Sequence, residues 1–399
     1  MAASGFDEAR LGRITGHLEK HYIEPGKIAG CQVVVARHGH LAYQASLGMR
    51  DLERGLPMAD DTIFRIYSMT KPITSVALMQ LYERGMFQLN DPVHRAIPRW
   101  RDHEVYVGGE GERIETRPPD APMTLRHVLG HTAGLSYGGT NHPVDKLYQA
   151  AGVRRGDGET LETFVDKLAE IPLHYDPGER WMYSYATDVC GHLVEAMSGM
   201  PLDRYFDEHI FKPLGMVDTA FSVAPAKVDR FAANYQRAPD KTLKLIDDPR
   251  ASTYLSQPTF LSGGGGLTGT TADYLRFCEM LRRGGELDGA RILGPRTLKL
   301  MTRNHLAGGG DLAGMAEGAF SETAYQGVGF GLGFAMTLSE VGAGTLGAGD
   351  YYWGGAASTI FWVDPVEDLS VVFMTQLMPS ATFNFRGQLK NIIYSAIVD

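Results

Sequence analysis

Ser68-Met69-Thr70-Lys71 is the only S-x-x-K in the chain. Residues three apart share one face of a helix, so a hydroxyl and an amine would meet there. Serine becomes a nucleophile when a neighbouring base takes its proton. Lysine is such a base only when neutral, and bringing it from about 10.4 to about 7–8 takes about 4 kcal/mol. A buried helix could supply that by withholding solvent, and the motif opens the most apolar helical pattern in the sequence. Ile73, Val76, Ala77 and Leu81 share one face, and Leu78 and Met79 fill others. This predicts a buried helix from Ser68 to about Tyr82, with Gly85 just past its end. Pro72 falls in the first turn, where N–H groups have no helical partner. A serine at the helix N-terminus would have free N–H groups and the helix dipole beside it.

Acyl chemistry also needs oxyanion donors and a second proton carrier. Two later stretches could supply them. Pro177 to Tyr185 (PGERWMYSY) leads into a helical pattern. Tyr351-Tyr352-Trp353-Gly354-Gly355-Ala356 reads as strand. Two glycines weaken a strand unless something must approach its backbone, and a substrate is one such reason. Gly134-Leu135-Ser136-Tyr137-Gly138 matches G-x-S-x-G, a serine elbow that needs a strand before it and a helix after it. Here it follows a helical pattern and runs into a loop, so Ser136 is expected near the cleft but not as nucleophile, with Tyr137 a wall. His127 and His131 are four apart, but no third ligand and no H-E-x-x-H accompany them, which favours a structural role. Gly263 to Gly266 precede no G-K-[ST] and read as a tight passage near the cleft rather than a phosphate loop.

The elements that must position these groups are legible in outline. Leu11, Ile14, Leu18 and Tyr22 give residues 7–22 a helical face that Pro25-Gly26 stops. Residues 30–36 and 41–47 read as two strands joined by a turn. Strand signals return at 329–338, 351–363 and 369–377, the last two joined at Asp364-Pro365, and a final helix is expected from about Thr382 to Ala396. The middle carries helical patterns at 124–130, 160–170, 187–198 and 271–283. Strands at both ends and helices between them predict an α+β fold: an antiparallel sheet from both chain ends, flanked by helices. Residues 1–399 are read as one catalytic unit, with 1–90 and 311–399 forming a sheet subdomain and 91–310 a helical one.

Composition narrows the function classes. The 399 residues, 44% hydrophobic and 21% charged, make a folded core and exclude wholesale disorder. A net charge of -9 argues against nucleic acid as a partner. Three cysteines form no disulfide framework, and neither a signal peptide nor a run of 18 apolar residues is found, so a cytoplasmic location away from membranes is expected. The 48 glycines, bunched at 263–266, 308–310 and 327–333, stand out.

The three candidate stretches resemble, in order and spacing, the serine β-lactamase and penicillin-recognising superfamily, whose motifs are S-x-x-K, Y-x-N and K-T-G. Within it the chain looks most like the family VIII carboxylesterases, relatives of class C β-lactamases whose third motif is often Trp-Gly-Gly, as at Trp353-Gly354-Gly355. LGHTAGL at 129–135, PLGM at 213–216 and residues 263–270 are similar too, so the resemblance runs from about residue 20 to the C-terminus. It implies a β-lactamase/transpeptidase-like fold, with Ser68 as the acylated nucleophile and Lys71 as the group that takes its proton. Tyr183 would pass a proton to the leaving alcohol. The N–H groups of Ser68 and Ala356 would form the oxyanion hole, each donor worth about 3–4 kcal/mol. Trp353, Gly354 and Gly355 of the third motif would bind substrate, and Tyr137 and Tyr185 are expected to join them from their places beside the cleft.

Two departures from the family pattern matter. Tyr185 replaces the asparagine of Y-x-N, and Trp353 replaces the lysine of K-T-G, removing a cation that a lactam or peptide carboxylate would meet. A neutral aromatic there suits an apolar ester better. The expectation is a serine carboxylesterase acting on small or short-acyl esters, without metal or cofactor. The alternatives are a β-lactamase, D-amino-acid peptidase or acyltransferase on the same fold, or a non-enzymatic scaffold or penicillin-binding sensor. Natural substrate and oligomeric state stay open.

Overall fold

The computed structural model describes residues 4–399 apart from 155, 157 and 317–324. Strands from both ends of the chain meet in one antiparallel sheet. The N-terminal part gives β1 (Gly30–Arg37), β2 (His40–Asp51) and β3 (Leu56–Pro57). The C-terminal part gives β4 (Val328–Phe330), β5 (Ala335–Thr337), β6 (Tyr351–Gly354), β7 (Ile360–Asp364) and β8 (Leu369–Thr375). Their order is β4-β5-β6-β7-β8-β1-β2-β3, so the two chain ends join where β1 pairs β8, with Val33 opposite Phe373.

The helices that bear on the site are α1 (Thr70–Glu83), α2 (Leu125–Leu129), α3 (Pro143–Ala150), α4 (Leu161–Ala169), α5 (Ala186–Ser198), α6 (Thr271–Arg282) and α7 (Phe385–Tyr394). Successive side chains of a strand point to opposite faces. On one face the Thr271 hydroxyl of α6 donates to Gln32 at 2.6 Å, and Tyr274 packs on Phe361 with ring centroids 5.0 Å apart. On the other, Phe385 of α7 packs on Phe373 at 4.9 Å. Every residue of β1, β7 and β8 is buried. Covered on both faces, these strands show continuous apolar runs instead of alternation. The N-terminal helical segments Glu8–Leu11 and Arg13–Leu18 pack against α7.

The structure revises several sequence expectations. The helix expected from Ser68 begins at Thr70; Ser68 lies in a 3₁₀ turn, Tyr67–Met69, entered through Tyr67 at φ +42°. That conformation is uncommon for a bulky residue and turns the chain sharply at the serine. The stretch 329–338 is a tight hairpin, β4 and β5, rather than one strand. The stretch 351–363 is a second hairpin: β6 ends at Gly354, so Gly355 and Ala356 lie in the turn and not on the strand. The Gly355 N–H donates to Thr359 O at 2.7 Å and closes that turn. Gly139–Pro143 is not all loop, since His142 caps α3 and Pro143 is its first residue. The C-terminal helix starts at Phe385, capped by Asn384. Helix α6 lies within the stretch grouped with the helical middle, yet it packs on β1, β7 and β8. Among the described residues no helix is long and apolar enough to cross a membrane.

Candidate active site

The segment leading into Ser68 is held at both ends. Residues Ile63–Arg65 pair antiparallel with Thr268–Thr270, and the Ile66 N–H donates to Leu267 O. This brings the glycine run 263–266 beside the start of α1. Twelve of the fourteen residues of α1, Thr70 through Leu81, are buried, as its all-round apolar pattern requires. Lys71 is 2% exposed, while Ser68 is half-buried.

Lys71 Nζ donates to Ser68 Oγ at 3.2 Å and to Gly264 O at 2.6 Å. The three-residue spacing of the motif therefore does bring hydroxyl and amine together. The carbonyl fixes one N–H of the amine and so orients the nitrogen toward the serine. Gly264 is itself anchored: its N–H and the Ser262 hydroxyl both donate to Asp188 Oδ1, at 3.0 and 2.6 Å. The glycines there answer to packing. A Cβ on Gly263 would lie 2.8 Å from Thr187 O and 3.0 Å from Thr74, because the run threads between α1 and α5.

Tyr183 and Tyr185 precede α5, which packs against α1. Lys71 Nζ lies 4.5 Å from the centroid of the Tyr183 ring and 5.7 Å from that of Tyr137. Tyr137 meets Tyr183 edge-on at 5.3 Å and Tyr185 at 4.6 Å. From the sheet side, β6 packs against the Tyr67–Met69 turn. Its Trp353 Nε1–H donates to the Tyr183 hydroxyl at 3.3 Å, and the two rings sit 5.3 Å apart. The next turn adjoins the serine: a Cβ on Gly355 would fall 2.4 Å from Ile66 O and 2.3 Å from Thr359 Oγ1. Gly354 faces Thr359 and Arg386, whose guanidinium donates to Trp353 O at 3.1 Å. The fold thus gathers Ser68, Lys71, Tyr183, Tyr137, Tyr185 and Trp353 in one cluster, with Gly355 packed against the backbone just before the serine.

Ser136 takes another part. It is buried, and its hydroxyl donates to Asp145 at 2.5 Å. No strand precedes it, as an elbow would require. Of the two histidines, His127 accepts from the Thr124 N–H in the cap of α2. His131 is fully buried, with Nδ1 3.2 Å from Ser184 Oγ and Nε2 3.3 Å from Thr187 Oγ1. Its ring packs 5.1 Å from that of Tyr183. Burial, and secondarily nearby Lys71, hold the His131 imidazole far below its ordinary range, so it stays neutral.

Sequence reasoning missed the Gly264 carbonyl, Asp188, and the place of His131 beneath Tyr183. The glycine run was the one available signal. It marked a tight passage, but where a carbonyl points is set by the packing of helices distant in sequence.

Comparison with known proteins shows the family and the fold. A family model described as Beta-lactamase matches residues 16–392. Esterase EstB of Burkholderia gladioli is 33% identical over 392 residues, covering 94% of this chain and 92% of its own. The solved structure of EstCE1, a hydrolase with promiscuous acyltransferase activity, superposes with a TM-score of 0.82 at 29% identity, covering 97% of this chain and 99% of that one. A mutant of the Aspergillus terreus simvastatin synthase LovD gives 0.81 at 26% identity, covering 98% of each chain.

Proposed function

Because the chain belongs to the Beta-lactamase family, we propose that it is a serine carboxylesterase of the family VIII type, hydrolysing small or short-acyl esters through an acyl-Ser68 intermediate. The observation that carries this reading is the Lys71 amine, buried and fixed between Ser68 Oγ and Gly264 O, beside Tyr183. In the proposed reaction Ser68 Oγ attacks the ester carbonyl while Lys71 takes the hydroxyl proton. The carbonyl oxygen, now negative, is met by the N–H groups of Ser68 and Ala356. As the C–O bond to the alcohol breaks, Tyr183 gives its proton to the departing oxygen and regains one from Lys71. Water then attacks the acyl-serine by the reverse proton path and releases the acid. The product balance is ester plus water to acid plus alcohol.

Several features favour an ester over an anionic lactam. The ligand would lie against neutral aromatic side chains, Trp353, Tyr137, Tyr183 and Tyr185, with an indole in the position the family usually gives a lysine. The similarity to EstB supports the same choice. A second reading, transfer of the acyl group to an alcohol in place of water, draws support from the similarity to EstCE1 and LovD.

Intact mass after treatment with a fluorophosphonate tests the nucleophile. Wild type and Ser136→Ala are expected to gain one label and Ser68→Ala none. Labelling that survives Ser68→Ala would sink the assignment. Rates on a p-nitrophenyl ester and on nitrocefin, and product analysis with an added alcohol, then separate esterase, lactamase and transferase activity.

A further inference from the structure

The G-x-S-x-G stretch has a task in this fold other than nucleophilic attack. Ser136 points inward and is tied on every side. Its hydroxyl donates to Asp145 Oδ1 at 2.5 Å and accepts from the Gly138 N–H at 2.9 Å. Its N–H donates to the Tyr148 hydroxyl at 3.4 Å, and its carbonyl accepts from the Tyr185 N–H at 3.3 Å. The neighbouring side chain, Tyr137, faces the opposite way, onto Tyr183, Tyr185 and Lys71. The hydrogen bond from Gly138 to Ser136 spans Tyr137, so the ring is presented from a closed turn. Gly138 has φ +67°, and a Cβ there would sit 2.6 Å from the Cβ of Tyr148, which leaves the turn no other residue.

The far end of the anchor is buried as well. Asp145, on α3, is 1% exposed in its side chain and His174 is 3% exposed; the imidazole Nε2 lies 2.8 Å from Asp145 Oδ1. Asp145 Oδ2 accepts from both the N–H and the hydroxyl of Thr140, at 2.8 and 2.5 Å. Burial alone would raise the Asp145 carboxyl. The bonds from His174, Ser136 and Thr140 outweigh burial and hold it well below the usual carboxylate range. The carboxylate is therefore a permanent acceptor, and His174 also donates its own N–H to Gly134 O at 2.8 Å, at the other end of the same turn.

We propose that Ser136, Asp145 and His174 form a positioning chain that fixes the Tyr137 ring as a wall of the acyl pocket and so sets which acyl groups the site accepts. None of the three makes or breaks a bond in the reaction. The assignment rests on the esterase reading of Ser68 and Lys71.

Steady-state kinetics on p-nitrophenyl acetate, butyrate and octanoate test it, with Ser136→Ala, Asp145→Asn, Tyr137→Ala and the double variant Ser136→Ala/Tyr137→Ala. Ser136→Ala and Asp145→Asn are expected to leave kcat on the acetate within about twofold while changing the octanoate-to-acetate ratio of kcat/KM by about tenfold, through KM. Tyr137→Ala should shift the ratio to a similar extent, and the double variant should add nothing further, as expected for residues acting through one another. Ser136→Thr, which keeps a hydroxyl, should restore part of the wild-type ratio. An equal loss on all three esters, or additive effects in the double variant, overturns the positioning chain and leaves the esterase reading intact. A wild type that hydrolyses none of the esters and takes no fluorophosphonate label overturns both.

Discussion

The Trp353 indole N–H donates to the Tyr183 hydroxyl at 3.3 Å, joining strand β6 to the approach of helix α5. A donor aimed at a phenol oxygen gains strength as that oxygen takes on negative charge. In the proposed reaction Trp353 would both wall the site and support Tyr183 as it hands over its proton. Trp353→Phe keeps the wall and removes the donor. It should lower kcat by about 10- to 150-fold, as a hydrogen bond to a charged group is worth about 1.5–3 kcal/mol, with KM little changed. Tyr183→Phe should cost more, about 10²–10⁴-fold in kcat. Stopped-flow or steady-state rates on p-nitrophenyl esters check both, and a Trp353→Phe enzyme as fast as wild type would remove the supporting role.

Lys71 is held between Ser68 Oγ and Gly264 O in a buried position. A guanidinium keeps the positive charge but cannot give up its proton. Lys71→Arg is therefore expected to be as inactive as Lys71→Ala, each losing about 10³-fold or more in kcat/KM. Residual activity of the arginine variant near wild type would show that the charge, not the base, matters.

Gly354 and Gly355 differ in the room around them. A Cβ at Gly355 meets Ile66 O at 2.4 Å, backbone that cannot yield without moving Ser68, whereas at Gly354 the nearest atom is Thr359 O at 3.0 Å. Gly355→Ala should abolish labelling of Ser68 or lower its rate by about 10²-fold or more, whereas Gly354→Ala should retain most of it. Fluorophosphonate labelling rates and a circular dichroism melt of each variant give the comparison, and equal effects would contradict the geometry.

His127 gives a stability change with acid. Burial, with a smaller contribution from Arg126, pushes its imidazole from 6.5 down to about 4. The unfolded chain takes this proton near pH 6.5, while the folded chain refuses it until about pH 4. Acid therefore favours the unfolded state across that window. Relative to His127→Gln, the wild type should lose stability as the pH falls from about 6.5 to 4, by up to about 1.4 kcal/mol per pH unit. Urea unfolding of both proteins at pH 7.5, 6.0 and 5.0 measures this, and parallel curves would rule it out.

The contact between Ser68 and Lys71 was readable because local spacing fixes local geometry. Ser68 and Lys71 are three apart at the entry to a helix, and nothing remote had to be known to bring them together. The buried character of α1 followed from its apolar residues on every face. The joining of both chain ends in one sheet followed from where the β-branched runs fall. Hairpin details did not, because strands covered on both faces lack the alternation that marks register, so 351–363 read as one strand.

What tertiary structure alone decided is how groups far apart in sequence face one another. Gly264 O reaches Lys71 because the glycine run is squeezed between α1 and α5. Trp353 meets Tyr183 because β6 packs on the turn that carries Ser68. Ser136, the serine of a familiar nucleophile motif, spends its hydroxyl on Asp145 because α3 lies beneath it. The sequence determined which side chains could react and which short spacings would hold. The aim of a carbonyl, an indole N–H or a hydroxyl depended on the packing of whole elements, and no residue types or spacings along the chain encode that aim locally.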